Sequence, residues 1–204
     1  MINNKDINEM ELGYLRSLFS VIPQTPIIFS ETIKYNLDPF NKYNDNDIND
    51  VLRDIKLYDV VHKLHDGINT VLSSKYKDLN NKKNEDNKSN GFQLSYGESQ
   101  LLCLGRALLN DKPFLLIDEG TSNIDNKTDK IIQDLLQNNQ KLKDKTIITI
   151  AHRINTIINY DKIISIKNGN IIEYDSPNNL LKKDPNHKDS VFIRLYNEHT
   201  QHMS

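Results

Sequence analysis

The chain has 204 residues, is 37% hydrophobic and carries a formal net charge of −2, which fits one sizeable domain. This charge argues against a nucleic-acid-binding protein, because such proteins present a basic face. The single cysteine, Cys103, excludes an internal disulfide framework and a cysteine metal cluster, and fits a reducing compartment. No apolar stretch is long enough to span a bilayer, and the N-terminus "MINNKDINEM" is unlike a signal peptide. We therefore expect any membrane association to come through a partner or another part of the protein.

The first half of the chain predicts one short strand followed by helices. The segment "LFSVIPQ" is typical of a strand that ends at Pro23-Gln24. The segments "ETIKYNL" and "DNDINDVLRDIKLYDVVHKL" have helical patterns. In the second of these, four apolar residues are spaced for one helix face: Ile48, Val51, Leu52 and Ile55. Residues 74–91 are charged and of low complexity, which predicts a solvated, mobile insert without chemistry of its own.

The second half alternates between strand and helix patterns. "SQLLCLGRALLN" predicts a helix with Leu101, Leu102, Leu104, Ala107 and Leu108 inward. Phe114 to Ile117 predict a strand covered on both faces, "NKTDKIIQDLLQNNQKL" an amphipathic helix, and "KTIITIAH" a second buried strand. "DKIISIKNGNIIEYD" predicts a hairpin around Asn168-Gly169-Asn170, and the last twenty residues look helical. This alternation indicates an α/β core with a parallel sheet.

Four features carry candidate chemistry, and three of them have a plainer alternative. Asp118 and Glu119 follow a buried strand, where two carboxylates suit a cation or proton transfer better than packing. Ser95, three residues before Glu98, predicts a capping box, and the same helix start with its glycine, Gly97, could bind a phosphate. His152 follows a strand at the end where α/β folds place ligands, although a lone His is more often structural. Gln24 follows a strand too, although a loop Gln is usually solvated.

The order of these segments resembles the nucleotide-binding domain of ATP-binding cassette (ABC) transporters. The resemblance covers "VIPQTPIIFSETIKYNLDPF", "LSYGESQLLCLGRALL", "PFLLIDEGTSNID" and "TIITIAHRINTI", in this order. "YNLDPF" and "AHRINTI" look most like the second cassette of the multidrug-resistance-associated (C) subfamily. The resemblance implies a RecA-like parallel-sheet core from residues 1–29 and 111–204, a helical signature subdomain at 30–110, and a C-terminal β-hairpin and helix.

The resemblance also implies roles for individual residues, with ATP and Mg²⁺ as cofactors. Asp118 and Gln24 would hold Mg²⁺, Glu119 would be the general base, and His152 would bond the γ-phosphate. Leu94 to Glu98 resemble the signature sequence and Ser122 to Asp125 the D-loop. In the family the signature binds the γ-phosphate of a nucleotide held by the opposite cassette, and the D-loop crosses the dimer interface. The resemblance thus gives Gln24, Ser95, Gly97, Glu98 and Asp125 as ATP-binding residues. The implied partners are a second nucleotide-binding domain in a head-to-tail dimer and the transmembrane domains of the same transporter. The resemblance places the cassette at the cytoplasmic face of a membrane and implies no nucleic-acid partner.

The sequence departs from the family pattern in several places. The phosphate loop G-x-x-x-x-G-K-[ST] is not found in these residues. We therefore expect a partial cassette that lacks the P-loop strand, with a depleted core, exposed sheet groups and weak or no ATPase activity alone. Glu98 stands where Gln is usual, which preserves the capping box but weakens anion binding by about 1 kcal/mol. Asn123-Ile124 and Gln93 are smaller departures.

These observations favour one function and leave alternatives. The leading hypothesis is a partial ATP-hydrolysing cassette of a membrane exporter, and the alternative is a catalytically silent cassette fragment that supplies only its signature motif to a partner's site. A chromosome-structure or DNA-repair ATPase is disfavoured by the charge and by the lack of sustained heptads between Gln24 and Ser95. A metal site at Asp118-Glu119 in an unrelated hydrolase would make the other motifs coincidental. Cys103 is expected to pack in the core, and Arg106 to form a structural salt bridge or to bind phosphate.

Overall fold

Three short apolar segments pair in parallel and form one sheet. The strands β1 (Phe19–Ile22), β2 (Phe114–Asp118) and β3 (Thr146–Ile150) lie in the order β1-β2-β3. The register aligns Ile22 with Ile117, and Asp118 with Ile150. The carboxyl ends of the strands therefore meet at one edge of the sheet. This arrangement confirms the predicted α/β class with a parallel sheet.

The computed structural model describes residues 1–73, 91–118, 124–151, 154–186 and 190–201. Two compact units divide the chain, residues 1–150 and residues 151–204. The sheet belongs to the first unit, and so do the helices predicted within 30–110; the boundaries of a helical subdomain there remain a prediction. Within the described residues, no helix has both the length and the apolar character needed to cross a membrane.

The helices of the first unit largely follow the predicted segments. They are α1 (Leu12–Ser17), α2 (Ile33–Leu37), α3 (Asp45–Asp54), α4 (Tyr58–His62), α5 (Tyr96–Asn110) and α6 (Asn126–Asn138). Short 3₁₀ turns occupy Ile7–Glu9, Gly67–Asn69 and Gln140–Leu142. The long predicted segment after Asn44 divides into α3 and α4, and Lys56 between them has a φ of 60°. The helix α1 was not predicted, because its sequence lacks a clear apolar face.

The helix α5 lies at the centre of the core of the first unit. The four residues predicted to share a face of α3 and its end, Ile48, Val51, Leu52 and Ile55, are all 0% exposed. A Cβ at Gly105 of α5 would come within 3.0 Å of Ile55 Cδ1, so this glycine allows the helices to approach closely. The five apolar residues predicted to face inward on α5 are all buried. Periodicity therefore identified this core correctly.

The two faces of the sheet differ in burial. Leu115 and Ile117 of β2 are buried in the same cluster as the apolar residues of α5 and α6. On the other face, Val21 is 58%, Ile148 52% and Ile150 57% exposed. The prediction that "KTIITIAH" is a buried strand was therefore wrong for this face. In β2, Leu115 and Ile117 are buried as predicted, whereas Phe114 and Leu116 on the other face are only partly buried. Within the first unit, α5 and α6 pack against the side that carries Leu115 and Ile117.

The two ends of the predicted insert come together in a closed base. Residues 74–90 lie outside the described residues. On either side of them, the Phe92 amide donates to the Val71 carbonyl at 2.8 Å, and the Ser73 amide donates to the Phe92 carbonyl at 2.9 Å. Gly91 has a φ of 145°, and a Cβ there would lie 2.8 Å from the Leu72 carbonyl carbon. The insert was predicted to span residues 74–91, and its last residue was wrong: Gly91 belongs to this base, because its positive φ and close contact with Leu72 fit only glycine.

The second unit is a hairpin with short helices. It contains α7 (Ile154–Ile157), β4 (Ile163–Lys167), β5 (Asn170–Asp175), α8 (Pro177–Leu180) and α9 (Val191–Gln201). The strands β4 and β5 pair antiparallel, and the turn between them places Asn168 and Gly169 at φ 51° and 76°. Two successive positive φ values are typical of a tight hairpin turn, which confirms the predicted hairpin. Of the last twenty residues, α9 covers eleven.

Candidate functional site

Candidate residues lie beyond the carboxyl ends of neighbouring strands. Gln24 is two residues past the end of β1, and Asp118 is the last residue of β2; both are exposed. Asp118 is paired with Ile150 at the end of β3. Glu119 and His152, the predicted general base and γ-phosphate ligand, lie outside the described residues, as do Ser122 and Asn123. The register therefore brings Gln24 and Asp118 to the same edge of the sheet.

The beginning of α5 is held by the predicted capping box. The Ser95 hydroxyl oxygen accepts a hydrogen bond from the Glu98 amide at 3.2 Å, and Glu98 Oε2 accepts one from the Ser95 amide at 2.7 Å. The local interpretation of these two residues is therefore confirmed. One carboxylate oxygen of Glu98 is committed to the cap. The Ser95 oxygen acts as an acceptor in this bond, so its own hydrogen remains available to donate.

Packing between two helices explains why glycine stands at position 97, and the sequence alone did not show this. A Cβ at Gly97 would lie 2.9 Å from Thr128 Cγ2 and 3.0 Å from Thr128 Oγ1. Thr128 belongs to α6, so Gly97 is where the two helices touch. The Thr128 hydroxyl donates to Asp125 Oδ2 at 2.7 Å, which fixes the threonine side chain. Close helix approach requires glycine here whether or not a phosphate binds.

Asp125 is the N-cap of α6. Its Oδ1 accepts from the amides of Lys127 and Thr128, both at 3.0 Å, in addition to the Thr128 hydroxyl on Oδ2. These hydrogen bonds, led by that of the Thr128 side chain, hold the pKa of Asp125 below its usual value. Asp125 holds the side chain of Thr128, and Thr128 in turn lies against Gly97 of the signature segment. A capping carboxylate with a lowered pKa keeps its negative charge at this point of the surface.

The loop after β1 is tied to α5. The Gln24 carbonyl accepts hydrogen bonds from the Tyr96 hydroxyl at 2.7 Å and from Gln100 Nε2 at 2.9 Å. Sequence reasoning missed Tyr96, Gln100 and Thr128. For Gln100 a signal was present, because a polar residue stood among the apolar residues of a predicted core helix.

Arg106 fixes the segment that follows Gln24. Its guanidinium donates to the carbonyls of Ile27 and Asn36, and to Asn36 Oδ1 at 2.7 Å. Asn36 is fully buried, and its amide nitrogen donates to the carbonyls of Phe29 and Thr32, each at 3.0 Å. These contacts give Arg106 a structural role through carbonyl oxygens, and the salt bridge and the phosphate contact stay predictions. Cys103 next to it is buried as expected, and burial raises the pKa of its thiol.

The residues available for Mg²⁺ are oxygen donors. Mg²⁺ binds carboxylates, amide oxygens and water, and usually takes only one or two carboxylates from the protein. Asp118 and Gln24 offer such a set at the same sheet edge, so their chemistry fits the ion. Within the described ranges, no group of three His, Cys, Asp or Glu residues could hold a metal.

Comparison with known proteins assigns the family. The ABC transporter model matches residues 1–122, and the chain belongs to this family. Its relatives include transporters of the multidrug-resistance-associated type, as the resemblance predicted. A probable multidrug resistance-associated protein of Drosophila melanogaster, lethal(2)03659, is 37% identical over 97% of this chain and 13% of its own length. Bile pigment transporter 1 of Saccharomyces cerevisiae is 41% identical over 96% of this chain and 12% of its own length.

A solved structure supports the fold. The bacterial Atm1-family ABC exporter with ATP bound matches with a TM-score of 0.78 at 24% identity, over 98% of this chain and 32% of that chain. The predicted nucleotide-binding-domain fold is therefore confirmed. The chain spans 13% and 12% of the length of the two relatives above.

Proposed function

We propose that the chain is part of the ATP-binding and ATP-hydrolysing cassette of a membrane exporter of the multidrug-resistance-associated type. The observation that carries this proposal is the shared sheet edge, where Gln24 follows β1 and Asp118 ends the neighbouring strand β2. In the sequence, Glu119 comes directly after Asp118, and His152 comes two residues after Ile150, the last residue of β3. The family assignment and the relatives support it. We also propose that the cassette works at the cytoplasmic face of a membrane, through membrane helices outside this chain.

The proposed chemistry needs little covalent participation by the protein. Asp118 and Gln24 would hold Mg²⁺, which when bound neutralises charge on the phosphate oxygens. Glu119 would orient the attacking water and take its proton as the water oxygen bonds to the γ-phosphorus and the bond to the β-γ bridging oxygen breaks. His152 would donate a hydrogen bond to the γ-phosphate. Positioning and charge stabilisation then supply the rate enhancement.

The start of α5 is the second part of the proposal. Helix N-termini favour anions, because backbone N–H groups and the helix dipole point toward them. The hydroxyl hydrogen of Ser95 is available to donate, and Gly97 behind it is buried against Thr128, which fixes the first turn. We propose that this surface, Ser95 to Glu98 with Asp125 beside it, meets the γ-phosphate of ATP held by a second cassette in a head-to-tail dimer.

The isolated 204 residues should hydrolyse ATP weakly or not at all. A glycine-rich phosphate loop with its lysine supplies most donors to the β- and γ-phosphates, and that motif is not present in these residues. The alternative, a catalytically silent cassette fragment that supplies only its signature segment, rests on the same fact and on the intact capping box at Ser95.

A groove beside the Gln24 loop suits contact with the membrane part of such an exporter. It has a volume of about 440 Å³ and is lined by Ile27, Phe29 and Phe40 together with Lys42, Arg106 and other residues. Phe40 is 75% exposed. A lining of apolar and cationic side chains would accept an apolar segment whose acidic residues or helix carbonyl end face the cations. Phe40→Glu should then reduce transport while ATP photolabelling of the membranes stays unchanged.

The test uses ATPase activity in membrane vesicles that contain the native protein and variants of it. Glu119→Gln should abolish hydrolysis at this site while ATP binding persists. Ser95→Asn and Ser95→Asp form a matched pair, because both cap helices about as well as Ser but only Asp adds a charge. Ser95→Asp should raise the ATP concentration for half-maximal activity about fivefold over Ser95→Asn. Glu98→Gln keeps the capping box and removes a negative charge. It should therefore lower the ATP concentration for half-maximal activity, relative to the native protein, by a similar factor.

The variants also separate the two functions. If Glu119→Gln leaves activity unchanged while Ser95→Asp impairs it, the silent-fragment function is correct and the hydrolytic one is wrong. If neither substitution changes ATP hydrolysis or its ATP dependence, both proposals fail.

A further inference from the structure

The hydrogen bonds to the Gln24 carbonyl link two parts of the proposed site. Tyr96 lies within the segment Leu94 to Glu98 that resembles the signature, and Gln100 follows Glu98 by two residues in the first turns of α5. Gln24 is 72 residues away from Tyr96 in the chain, yet its carbonyl oxygen accepts from both side chains, at 2.7 Å and 2.9 Å. Gln100 Nε2 is also 3.3 Å from the Pro23 carbonyl. The main chain of the loop is therefore attached to the helix that begins at the signature.

The burial of Gln100 argues that this attachment is specific. Gln100 is 1% exposed and lies among apolar residues of α5. Its Oε1 has no hydrogen-bond partner among the described residues. A buried amide with one unsatisfied oxygen costs stability that an apolar residue of similar size would avoid. The donors of Gln100 are both directed at carbonyls of the Gln24 loop, so the amide orders this loop.

The loop has few amide donors of its own. Pro23 and Pro26 flank Gln24 and Thr25, and proline has no N–H to donate. Only Gln24 and Thr25 can donate from the main chain across these four residues. Attachment through carbonyl oxygens is therefore an effective way to fix the loop, and Tyr96 and Gln100, which donate to the Gln24 carbonyl, both come from α5.

We propose that Tyr96 and Gln100 are positioning residues that make the Gln24 loop and the start of α5 move together. This inference rests on the proposed function, in which Gln24 meets the nucleotide of its own cassette and Ser95 to Glu98 meet that of the opposite cassette. The Gln24 carbonyl then connects the two nucleotide sites mechanically. A displacement of the signature surface on dimer closure is passed to the Gln24 side chain, and the reverse also holds.

The link itself is tested by hydrogen–deuterium exchange on the 204-residue chain without nucleotide. Tyr96→Phe removes the tyrosine hydroxyl that donates to the Gln24 carbonyl, and Gln100→Leu removes the amide that donates there while keeping a similar size. The matched control is Tyr43→Phe, because the Tyr43 hydroxyl also donates to a main-chain carbonyl of α5, that of Leu109 at its opposite end. Tyr96→Phe should accelerate exchange of the peptide covering residues 22–29 about threefold to tenfold, and Tyr43→Phe should not change it.

Equal exchange of this peptide in all variants would overturn the link. If Gln100→Leu proves unfolded by circular dichroism, Tyr96→Phe alone decides the result. This substitution removes only the Tyr96 hydroxyl, which lies at the surface, and leaves the packing of the ring intact. Because no nucleotide is present, this outcome does not depend on whether the proposed function is correct.

The positioning role is tested by ATPase kinetics in vesicles with the native protein. Tyr96→Phe should lower kcat about threefold to tenfold with the KM for ATP nearly unchanged, and it should have no further effect in a Gln24→Ala background, where the side chain to be positioned is gone. An effect of equal size in both backgrounds would show a merely structural role and overturn the proposal. A wild-type control that lacks ATP hydrolysis would refute the proposed function, while the exchange result would still decide the link.

Discussion

Gly97→Ala is the sharpest test of the packing at the signature segment. The added methyl group would lie 2.9 Å from Thr128 Cγ2, 3.0 Å from Oγ1 and 3.2 Å from Cβ. Thr128 cannot turn away cheaply, because its hydroxyl is held by Asp125 at 2.7 Å. Overpacking of this kind costs about 1–3 kcal/mol, and the gain in helix propensity from Gly to Ala recovers up to about 1 kcal/mol. We expect a net loss of about 1 kcal/mol in the free energy of unfolding.

Gly13→Ala is the matched control. Gly13 is the second residue of α1, as Gly97 is of α5, but a Cβ there would meet only the end of the flexible Glu11 side chain, at 3.1 Å. This substitution should be neutral or slightly stabilising. The assay is urea unfolding followed by far-UV circular dichroism, in which a 1 kcal/mol loss moves the midpoint by about 0.5 M.

A double-mutant cycle completes the test. Thr128→Ala removes two of the three close atoms, so Gly97→Ala should cost about 1 kcal/mol less in that background. Equal midpoints for Gly97→Ala and Gly13→Ala, or a cost unchanged by Thr128→Ala, would refute the packing explanation. Gly97 would then be explained better by a need for backbone access.

Three further predictions follow from burial and charge. Ile55→Ala should lower the free energy of unfolding by about 2–5 kcal/mol, whereas Ile166→Ala, at a residue 68% exposed, should stay within about 0.5 kcal/mol in the same urea assay. Cys103 should react with iodoacetamide at least about tenfold more slowly in the native chain than in urea, with its pH profile displaced upward, because burial raises its pKa; equal profiles would contradict its placement. The lowered pKa of Asp125 means that the unfolded chain binds its proton first, so its contribution to stability is present above the unfolded pKa and disappears as the pH falls through the lower folded value. Asp125→Asn should therefore flatten the fall of the urea midpoint below about pH 5, and an unchanged slope would contradict the cap.

Local patterns predicted the elements of the fold well. The apolar spacing of Ile48 to Ile55 and of α5 identified buried faces, because periodicity reports directly which side of a helix is covered. The capping box of Ser95 and Glu98 and the Asn168-Gly169 turn were also predicted, since their hydrogen bonds and backbone angles depend on residues close in the chain.

Contacts between distant segments were not predictable in the same way. The exposure of Ile148 and Ile150 depends on which helices cover the sheet, and an apolar strand sequence cannot show that one face is uncovered. The hydrogen bonds of Tyr96 to Gln24 and the contact of Gly97 with Thr128 join elements far apart in the chain. Their residue types alone allowed several partners. The sequence order of motifs located the candidate site, but only the register of the strands placed Gln24 and Asp118 at one edge.

The most direct test of the central claim is vanadate-dependent photocleavage of the native protein in membrane vesicles. Vanadate trapped with Mg²⁺ and ADP takes the place of the γ-phosphate, and ultraviolet light then cleaves the main chain beside it. Peptide mapping should locate cleavage within Leu94 to Glu98, dependent on both nucleotide and light and lost in Ser95→Asp. Trapping and cleavage elsewhere in the protein, with none in this segment, would contradict a signature surface that meets ATP.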